Sequence, residues 1–330
     1  MKLIYKIKVI AFLIVFGFST KTKAQDVHLS QFYSTPSMLN PSMTGMMPEI
    51  FRSSISYRNQ WNSVVPYSTV SASMDRSFSL DRYDRAGIGL VMFNDKTGAQ
   101  GGLNTFKCYL GGSYQKILRT SKGVTVMSFG GQLGFAQKSL YGTFDYSEGM
   151  AESFESNNIN YLDLNTGAIL LHKNRDKSTF FIGGSVFHLN QPDESFFSVN
   201  ANTSLRSRWV LHGGAILGNE KKPLFVTPNF VVMRQGKNQE INIGANLHYD
   251  FYRVSSNELE LMLGGWVRLG DALIAYTGLR FDTYELGFSY DINNSGMKAA
   301  TNGRGALEFN FKYFIKDKYI KLLACPSLRM

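Results

Sequence analysis

The stretch from Thr283 to Asn293, TYELGFSYDIN, alternates without a break between two kinds of side chain. Successive side chains of an extended strand point to opposite faces, so one face here is apolar and the other polar. A helix could not keep the two sets apart. The apolar set is Tyr284, Leu286, Phe288, Tyr290 and Ile292, and the polar set is Glu285, Gly287, Ser289, Asp291 and Asn293.

The same alternation recurs along nearly the whole chain, for example over residues 240–251 and 307–313. Aromatic residues lie at the ends of the apolar faces, and the opposite faces carry Asn, Gly, Ser and charge. This two-residue repeat is typical of a barrel whose outside meets lipid and whose inside is wet. We predict an all-β fold, a single transmembrane antiparallel β-barrel of about 14 strands. The predicted strands are residues 51–58, 67–75, 86–94, 103–118, 123–138, 161–173, 178–190, 205–218, 222–235, 238–252, 257–268, 271–281, 283–293 and 305–315.

The first 24 residues have the layout of a secretory signal peptide. A basic start precedes an apolar run of ten residues, Val9 to Phe18, and a small-residue end at Ala24. Ten apolar residues are too few to cross a hydrocarbon core of about 30 Å as a helix. Their removal takes away five lysines and no acid, which lowers the formal charge from +10 to +5. The basicity is therefore partly an export feature, and we predict no nucleic-acid partner.

The sequence predicts four regions: the signal peptide 1–24, an irregular segment 25–50, the barrel 51–315 and a periplasmic basic tail 316–330. Residues 25–50 hold three of the eight prolines and show no sustained period. Proline is excluded from central strands because it cannot donate to the ladder. We expect this segment to lie at or in the lumen of a barrel in the outer membrane.

The links between predicted strands alternate in length, as the two ends of an outer-membrane barrel require. Those at 139–160, 191–204 and 294–304 are long, and those of the opposite parity are short. With both termini periplasmic, the long links lie outside. The sign of the charge follows the same alternation, with basic residues at short links and acidic residues in long ones. Solvated turns are charged in any case. The basic set is Arg119, Lys122, Arg175, Lys177, Lys221 and Lys222, and the acidic set is Asp145, Glu148, Glu152, Glu155, Asp193 and Glu194.

Few residues suggest chemistry. The two cysteines, Cys108 and Cys325, give no disulfide framework, and the five histidines show no metal-ligand spacing, so we expect no metal or cofactor. A hydrolase would need a nucleophile with a base in reach. Ser185, His188 and Asp163 could be combined into such a site, but their spacing does not bring them together. We predict that the protein is not an enzyme.

Polar and aromatic groups are densest between Tyr57 and Trp61, YRNQW, and at 73–75. Arg58 and Asp75 could pair across neighbouring strands in a low-dielectric interior. Trp61 could anchor at the membrane interface or contact a partner. The residues that we predict to bind a partner or face the lumen are Asn40, Pro41, Arg58, Gln60, Trp61, Asp75, Arg268, Asp291 and Glu308.

Short motifs follow one another along the mature chain in a specific order. They are Gln25-Asp26, Ser30-Gln31-Phe32-Tyr33, Asn40-Pro41, Gly45, Arg58-Asn59-Gln60-Trp61, Ser73-Met74-Asp75, Gly87-Ile88-Gly89-Leu90, Asp95, Gly98, Ser128-Phe129-Gly130, Gly183 to Leu189, Pro192, Pro228, Trp266-Val267-Arg268, Asp271-Ala272, Leu286 to Asp291, Gly305 to Glu308 and Cys325-Pro326. In these motifs the mature chain resembles the PorP/SprF family of type IX secretion outer-membrane proteins. It departs from the family pattern at Leu307, where His usually precedes the Glu, and at Ser327-Leu328.

The resemblance implies a non-enzymatic barrel that aids export or surface anchoring of cargo proteins with a C-terminal sorting domain, gliding adhesins among them. The implied partners are this cargo, other type IX secretion components and outer-membrane lipid. Two alternatives stay open. One is an outer-membrane channel for small apolar or sugar ligands, which fourteen strands also permit, and the other is a barrel hydrolase.

Overall fold

The computed structural model does not describe every part of the chain. The predicted signal peptide and all but the first residue of the predicted periplasmic tail lie outside the described residues. The described residues are 26, 29–61, 64–81, 83–98, 101–142, 157–175, 178–196, 204–218, 223–251, 259–296 and 298–316.

Fourteen antiparallel strands close into one barrel, which confirms the predicted fold. Each strand pairs with its neighbours in sequence, and β1 pairs with β14 from Phe51 opposite Ile315 to Gln60 opposite Ala306. Closure leaves no free sheet edge along this seam. The strands are β1 Phe51–Gln60, β2 Tyr67–Ser79, β3 Asp84–Thr97, β4 Gly101–Arg119, β5 Gly123–Gly142, β6 Asn158–Asn174, β7 Thr179–Phe187, β8 Arg208–Gly218, β9 Leu224–Gln235, β10 Asn238–Asp250, β11 Leu259–Arg268, β12 Ala272–Phe281, β13 Tyr284–Asn293 and β14 Arg304–Ile315.

Burial along the strands is the inverse of that in a soluble protein. Large apolar side chains on the outer face are exposed, as Ile55, Leu110 and Phe129 are at 55%, 58% and 57%. Polar side chains of the alternate positions, such as Gln115 and Ser128, are fully buried. An apolar outside and a polar inside are what lipid around a closed sheet requires.

The two rims of the barrel differ. One end carries the long links 143–157, 188–207 and 294–303, and we call it the loop rim. The other end carries short links such as 120–122 and 175–178, and we call it the turn rim. Neither of the short helices among the described residues is long and apolar enough to cross a membrane.

Strand β7 ends earlier than predicted. The sequence pattern predicts a strand over 178–190, whereas β7 stops at Phe187. His188 has a φ of 58°, in the left-handed region, and the chain leaves the sheet there. This bend turns the imidazole of His188 into the lumen, where it meets Asp163 of β6.

The N-terminal segment fills the barrel interior. Residue 26 and residues 29–50, which we call the plug, contain a one-turn helix, α1 (Pro36–Leu39), and a 3-10 turn, Pro41–Met43. The plug begins at the loop rim, where Asp26 meets His188, and reaches the turn rim, where Ile50 donates its N–H to the carbonyl of Ile315. A second four-residue helix, α2 (Lys298–Thr301), lies in the loop-rim link before β14.

From Asp26 at the loop rim, the described part of the plug descends through the lumen to the turn rim, where β1 starts. The plug and the wall share one hydrophobic core. The plug contributes Phe32, Tyr33, Leu39, Met43 and Met46, which pack with wall residues that include Val126, Leu171, Phe181, Val231 and Trp266.

Candidate functional site

A buried cluster of charged wall residues binds the plug near the loop rim. Ser30 donates its hydroxyl hydrogen to the carboxylate of Asp291, with both oxygens at 2.8 Å, and accepts from Arg58 at 2.6 Å and Arg268 at 2.8 Å. The backbone N–H groups of Ser30 and Gln31 both donate to Glu308, at 2.8 and 3.0 Å. We call Arg58, Arg268, Asp291 and Glu308 the clamp.

The clamp is buried, and its two arginines balance its two carboxylates in formal charge. Arg58 lies 3.0 Å from Asp291 and 3.1 Å from Glu308, and none of these side chains is more than 2% exposed. Arg268 adds a 3.1 Å ion pair to the same Asp291 carboxylate. A register shift leaves two residues of β14, Gly305 and Ala306, opposite the single residue Asp291 of β13, as in a β-bulge. Removing one partner of a buried pair typically costs about 3–5 kcal/mol.

Glycines in the wall make room for the middle of the plug. Asn40 donates to the carbonyls of Ala168 and Gly184, at 3.0 and 3.2 Å, and its amide nitrogen lies 3.0 Å from Nε2 of His212. A Cβ at Gly167 would stand 2.0 Å from Oδ1 of Asn40. Glycine is used in strands where another part of the chain approaches closely. Because Gly167 has no side chain, Asn40 of the plug has room against the wall.

Asp75 holds the plug near the turn rim. The N–H of Gly45 donates to the Asp75 carboxylate at 2.6 Å, and Arg52 binds the same carboxylate through two nitrogens at 3.0 and 2.7 Å. The predicted pair of Arg58 with Asp75 is wrong. The register sets Arg58 opposite Thr69 and Asp75 opposite Arg52, so the two residues sit at different heights of the barrel.

A second charged cluster surrounds Asp26. Lys107 donates to the Asp26 carboxylate at 3.1 Å, and the two ring nitrogens of His188 meet Asp26 and Asp163. Tyr109 donates to Asp163 at 2.7 Å. Burial raises the pKa of Asp26, but His188 and Lys107 outweigh it and hold that pKa well below 3.8. Burial lowers the pKa of His188, but its two carboxylate partners outweigh burial and raise that pKa above 6.5.

The other predicted residues take separate places. Gln60 accepts from Arg58 at 3.3 and 3.1 Å and so borders the clamp. Pro41 starts the 3-10 turn in the plug, and its carbonyl accepts from Thr44 at 2.8 Å. Trp61 follows β1 at the loop rim and packs edge-on against Tyr67, with ring centroids 5.6 Å apart.

The family model for the type IX secretion system membrane protein PorP/SprF matches residues 21–313. The chain belongs to the PorP/SprF family. The protein is thus an outer-membrane barrel in a family of type IX secretion system membrane proteins. No curated protein matches the sequence.

A solved outer-membrane barrel shares the fold of this PorP/SprF chain, and others are similar to it. A FadL homologue of Pseudomonas aeruginosa aligns with a TM-score of 0.50 and 8% identity, over 85% of this chain and 94% of that one. The toluene transporter TbuX of Ralstonia pickettii aligns with a TM-score of 0.49 and 11% identity, over 86% of this chain and 94% of that one. At such identity the likeness concerns the fold alone.

Two of the three residues considered for a hydrolase site do meet in the PorP/SprF barrel. His188 meets Asp163, but the hydroxyl of Ser185 donates to the plug carbonyl of Leu39 at 2.7 Å. Both ring nitrogens of His188 face carboxylates, so neither is placed to take a proton from a serine. Within the described ranges, no group of three or more His, Cys, Asp or Glu could hold a metal ion.

Sequence reasoning missed several residues that hold the plug. Lys107 and Arg208 were not predicted, Asp163 was considered only for a hydrolase site, and Asp26 and Ser30 entered only through the family resemblance. One signal was present, because Lys107 and Asp163 are charges on the polar face of an alternating strand. No such signal exists for Ser30, whose role depends on where the plug folds.

Proposed function

We propose that this PorP/SprF barrel is an accessory of the type IX secretion system that aids export or surface anchoring of cargo proteins with a C-terminal sorting domain. Large gliding adhesins are among the cargo that the family relation suggests. The barrel acts by binding, without catalysis, alongside other secretion components. The observation that carries the proposal is the family match over residues 21–313.

The filled lumen supports a holding role over a conducting one. The plug touches the wall near both rims and at mid-height, through the clamp, Asn40 and Asp75. Two cavities beside the plug measure about 20 and 30 Å³, room for only one or two water molecules each. A channel for sugars or small apolar ligands needs a wider path than these cavities offer.

The loop rim is where we place the cargo. The link 188–207 is anchored at its base, because Glu194 accepts from Lys138 at 2.7 Å and from Tyr161 at 2.5 Å. Strands β4 to β6 have 19, 20 and 17 residues and form the tall side of the wall next to this link. A fixed, uneven rim offers a partner more surface than a flat ring of short turns.

Deletion of the gene tests the proposal in the cell. We expect at least one cargo with a sorting domain to be lost from the cell surface, and the wild-type gene to restore it. If every such cargo is still exported and surface-bound, the proposal is wrong.

A loop replacement tests the place of binding. The tagged barrel is purified from outer membranes, and the co-purifying proteins are identified. Replacing residues 143–156 by a short Gly-Ser linker should reduce cargo recovery about tenfold, a loss of roughly 1.4 kcal/mol in affinity. Replacing the turn 175–178 is the matched control and should leave recovery unchanged. Equal recovery from both variants would contradict binding at the loop rim.

A further inference from the structure

Three basic side chains meet at the loop-rim turn between β9 and β10. The turn is Gly236-Lys237, and Arg234 lies two residues before Gly236. Arg234 donates through Nε to the carbonyl of Gly236 at 3.5 Å, and a Cβ at Gly236 would stand 2.9 Å from Cδ of Arg206. Arg206 belongs to the link before β8, and its carbonyl accepts from Gln235 at 3.1 Å. We call Arg206, Arg234 and Lys237 the basic cluster.

The basic cluster is exposed and its charge is not balanced by an acid. All three residues are exposed. Within the part of the chain that the structure describes, none of them forms an ion pair with a carboxylate. Glu240, the acid nearest in sequence to Lys237, points into the lumen and pairs with Arg268 at 3.4 Å. Three positive charges are therefore open to an anion from outside the chain.

The basic cluster lies where the outer face of the wall leaves the lipid. On that face Arg234 stands opposite Trp209 of β8, whose side chain is 61% exposed. Two residues further along the strands the outer face is aliphatic, with Leu211 opposite Val232. Exposed tryptophan marks the boundary between hydrocarbon and headgroups in membrane proteins. Arg234 is thus at the level of the lipid headgroups.

Strand length indicates the same level. A strand needs about 9–11 residues to cross a membrane at a tilt. Strands β8 and β9 have 11 and 12 residues, so they end close to the membrane surface. Strands β4 and β5, with 19 and 20 residues, extend further. On the short side of the wall, an outward-pointing cation therefore has lipid headgroups as its neighbours.

We propose that the basic cluster binds the phosphate groups of a phosphorylated glycolipid in the outer leaflet. The two arginines and Lys237 bind the phosphates, while Trp209 and Leu211 contact the sugar and the first part of the acyl chains. Arginine suits phosphate because its planar guanidinium donates two parallel hydrogen bonds. The bound lipid fixes the height of the short side of the loop rim relative to the membrane surface. The site does not depend on the role in secretion.

Lipid titration tests the proposal. Native mass spectrometry of the full chain in detergent measures binding of lipid A and of lipid A from which the phosphates have been removed. We expect wild type to bind lipid A about tenfold more tightly than the dephosphorylated form. The combined variant Arg206→Gln, Arg234→Gln and Lys237→Gln should bind lipid A about tenfold more weakly than wild type does.

A matched variant at the turn rim is the control. Arg119→Gln, Lys122→Gln and Arg175→Gln together remove the same two arginines and one lysine from exposed positions. This variant should bind lipid A as wild type does. An equal loss in both combined variants would show that overall charge, and not the basic cluster, attracts the lipid, which would contradict the proposal.

Trp209→Ala separates a lipid from a free phosphate. Truncation of the ring should weaken the binding of lipid A about threefold, because the ring contacts the lipid next to the phosphates. Unchanged affinity in this variant would mean that the cluster recognises phosphate without the lipid, and the proposal would be wrong.

Two further outcomes would overturn the proposal. Equal binding of the two forms of lipid A would show that phosphate is not recognised. A combined cluster variant that keeps its affinity for lipid A but loses a co-purifying protein would assign the cluster to an acidic protein partner. Circular dichroism checks that the variants fold, and Arg234→Gln alone, with an expected loss of about threefold, replaces the combined variant if that one does not. Unchanged affinity in Arg234→Gln would then end the proposal.

Discussion

Glu308 shows how single residues hold the plug in the wall. One carboxylate accepts two successive backbone N–H groups of the plug, from Ser30 and Gln31, and also pairs with Arg58. A carboxylate that accepts charged and backbone donors makes hydrogen bonds about twice as strong as neutral ones. The first half of β14 is thus tied to the first described turn of the plug.

Glu308→Gln should loosen the plug. The amide keeps the size of the side chain but loses the charge that faces Arg58, and we expect a destabilisation of about 3–5 kcal/mol. Hydrogen exchange of the Ser30 and Gln31 amides should accelerate. Glu285→Gln is the matched control, because Glu285 pairs at 2.7 Å with Lys312, another wall residue. Equal acceleration in both variants would contradict a specific hold on the plug.

The pair of His188 with Asp26 should make the stability depend on pH. The pKa of His188 is raised above 6.5, so its contribution is full below 6.5 and is lost as pH rises through the raised pKa. The pKa of Asp26 is lowered, so its contribution is lost only as pH falls well below 3.8. His188 also faces Asp163, with Lys107 nearby.

We expect the stability difference between wild type and His188→Gln to be larger at about pH 6 than at about pH 9. Urea unfolding in detergent, followed by circular dichroism, measures this difference. A difference that is constant or grows toward high pH would contradict the pairing.

Gly167→Ala tests the space that Asn40 needs. The added Cβ would stand 2.0 Å from Oδ1 of Asn40, and overpacking of this kind costs about 1–3 kcal/mol. Gly265→Ala is the control, because a Cβ there meets nothing within 4 Å. The midpoint of chemical unfolding should fall for Gly167→Ala and not for Gly265→Ala. Equal midpoints would show that the plug moves aside without loss of stability.

At the scale of elements, the strands could be predicted and the plug's path could not. The alternation in TYELGFSYDIN and its repeats is a local signal, so the number of strands follows from it, and each predicted boundary falls within four residues of the observed one. The end of β7 lies three residues earlier than predicted, because His188 leaves the ladder for a contact with Asp163, 25 residues away. Arg58 forms ion pairs with Asp291 and Glu308, and not with Asp75, because closure of the barrel brings β14 next to β1. No local pattern encodes that closure.

The plug should behave as part of the folded core. Met43 is 2% exposed and belongs to the shared hydrophobic cluster, so Met43→Ala should cost about 2–5 kcal/mol. Met74 is 48% exposed on the outer face and is the control, since its truncation leaves no internal cavity. Chemical unfolding of both variants measures the difference. Equal losses would mean that the plug packs loosely.

At the scale of the whole molecule, a barrel of fourteen strands encloses more space than its own wall side chains fill. Barrels of about 8 strands are filled by side chains, whereas those of about 16 to 18 leave a water channel. Here the interior is closed by 22 residues of the same chain, from Leu29 to Ile50, most of them buried. The plug therefore belongs to the architecture of the barrel.

Conductance across a planar lipid bilayer tests the central claim, that the barrel is sealed by its own N-terminal segment, most directly. The full chain should insert without opening a steady ion current, while a variant that lacks residues 29–47 should conduct as an open pore. Circular dichroism checks that both barrels are folded. A steady current through the full chain equal to that of the truncated variant would contradict the account.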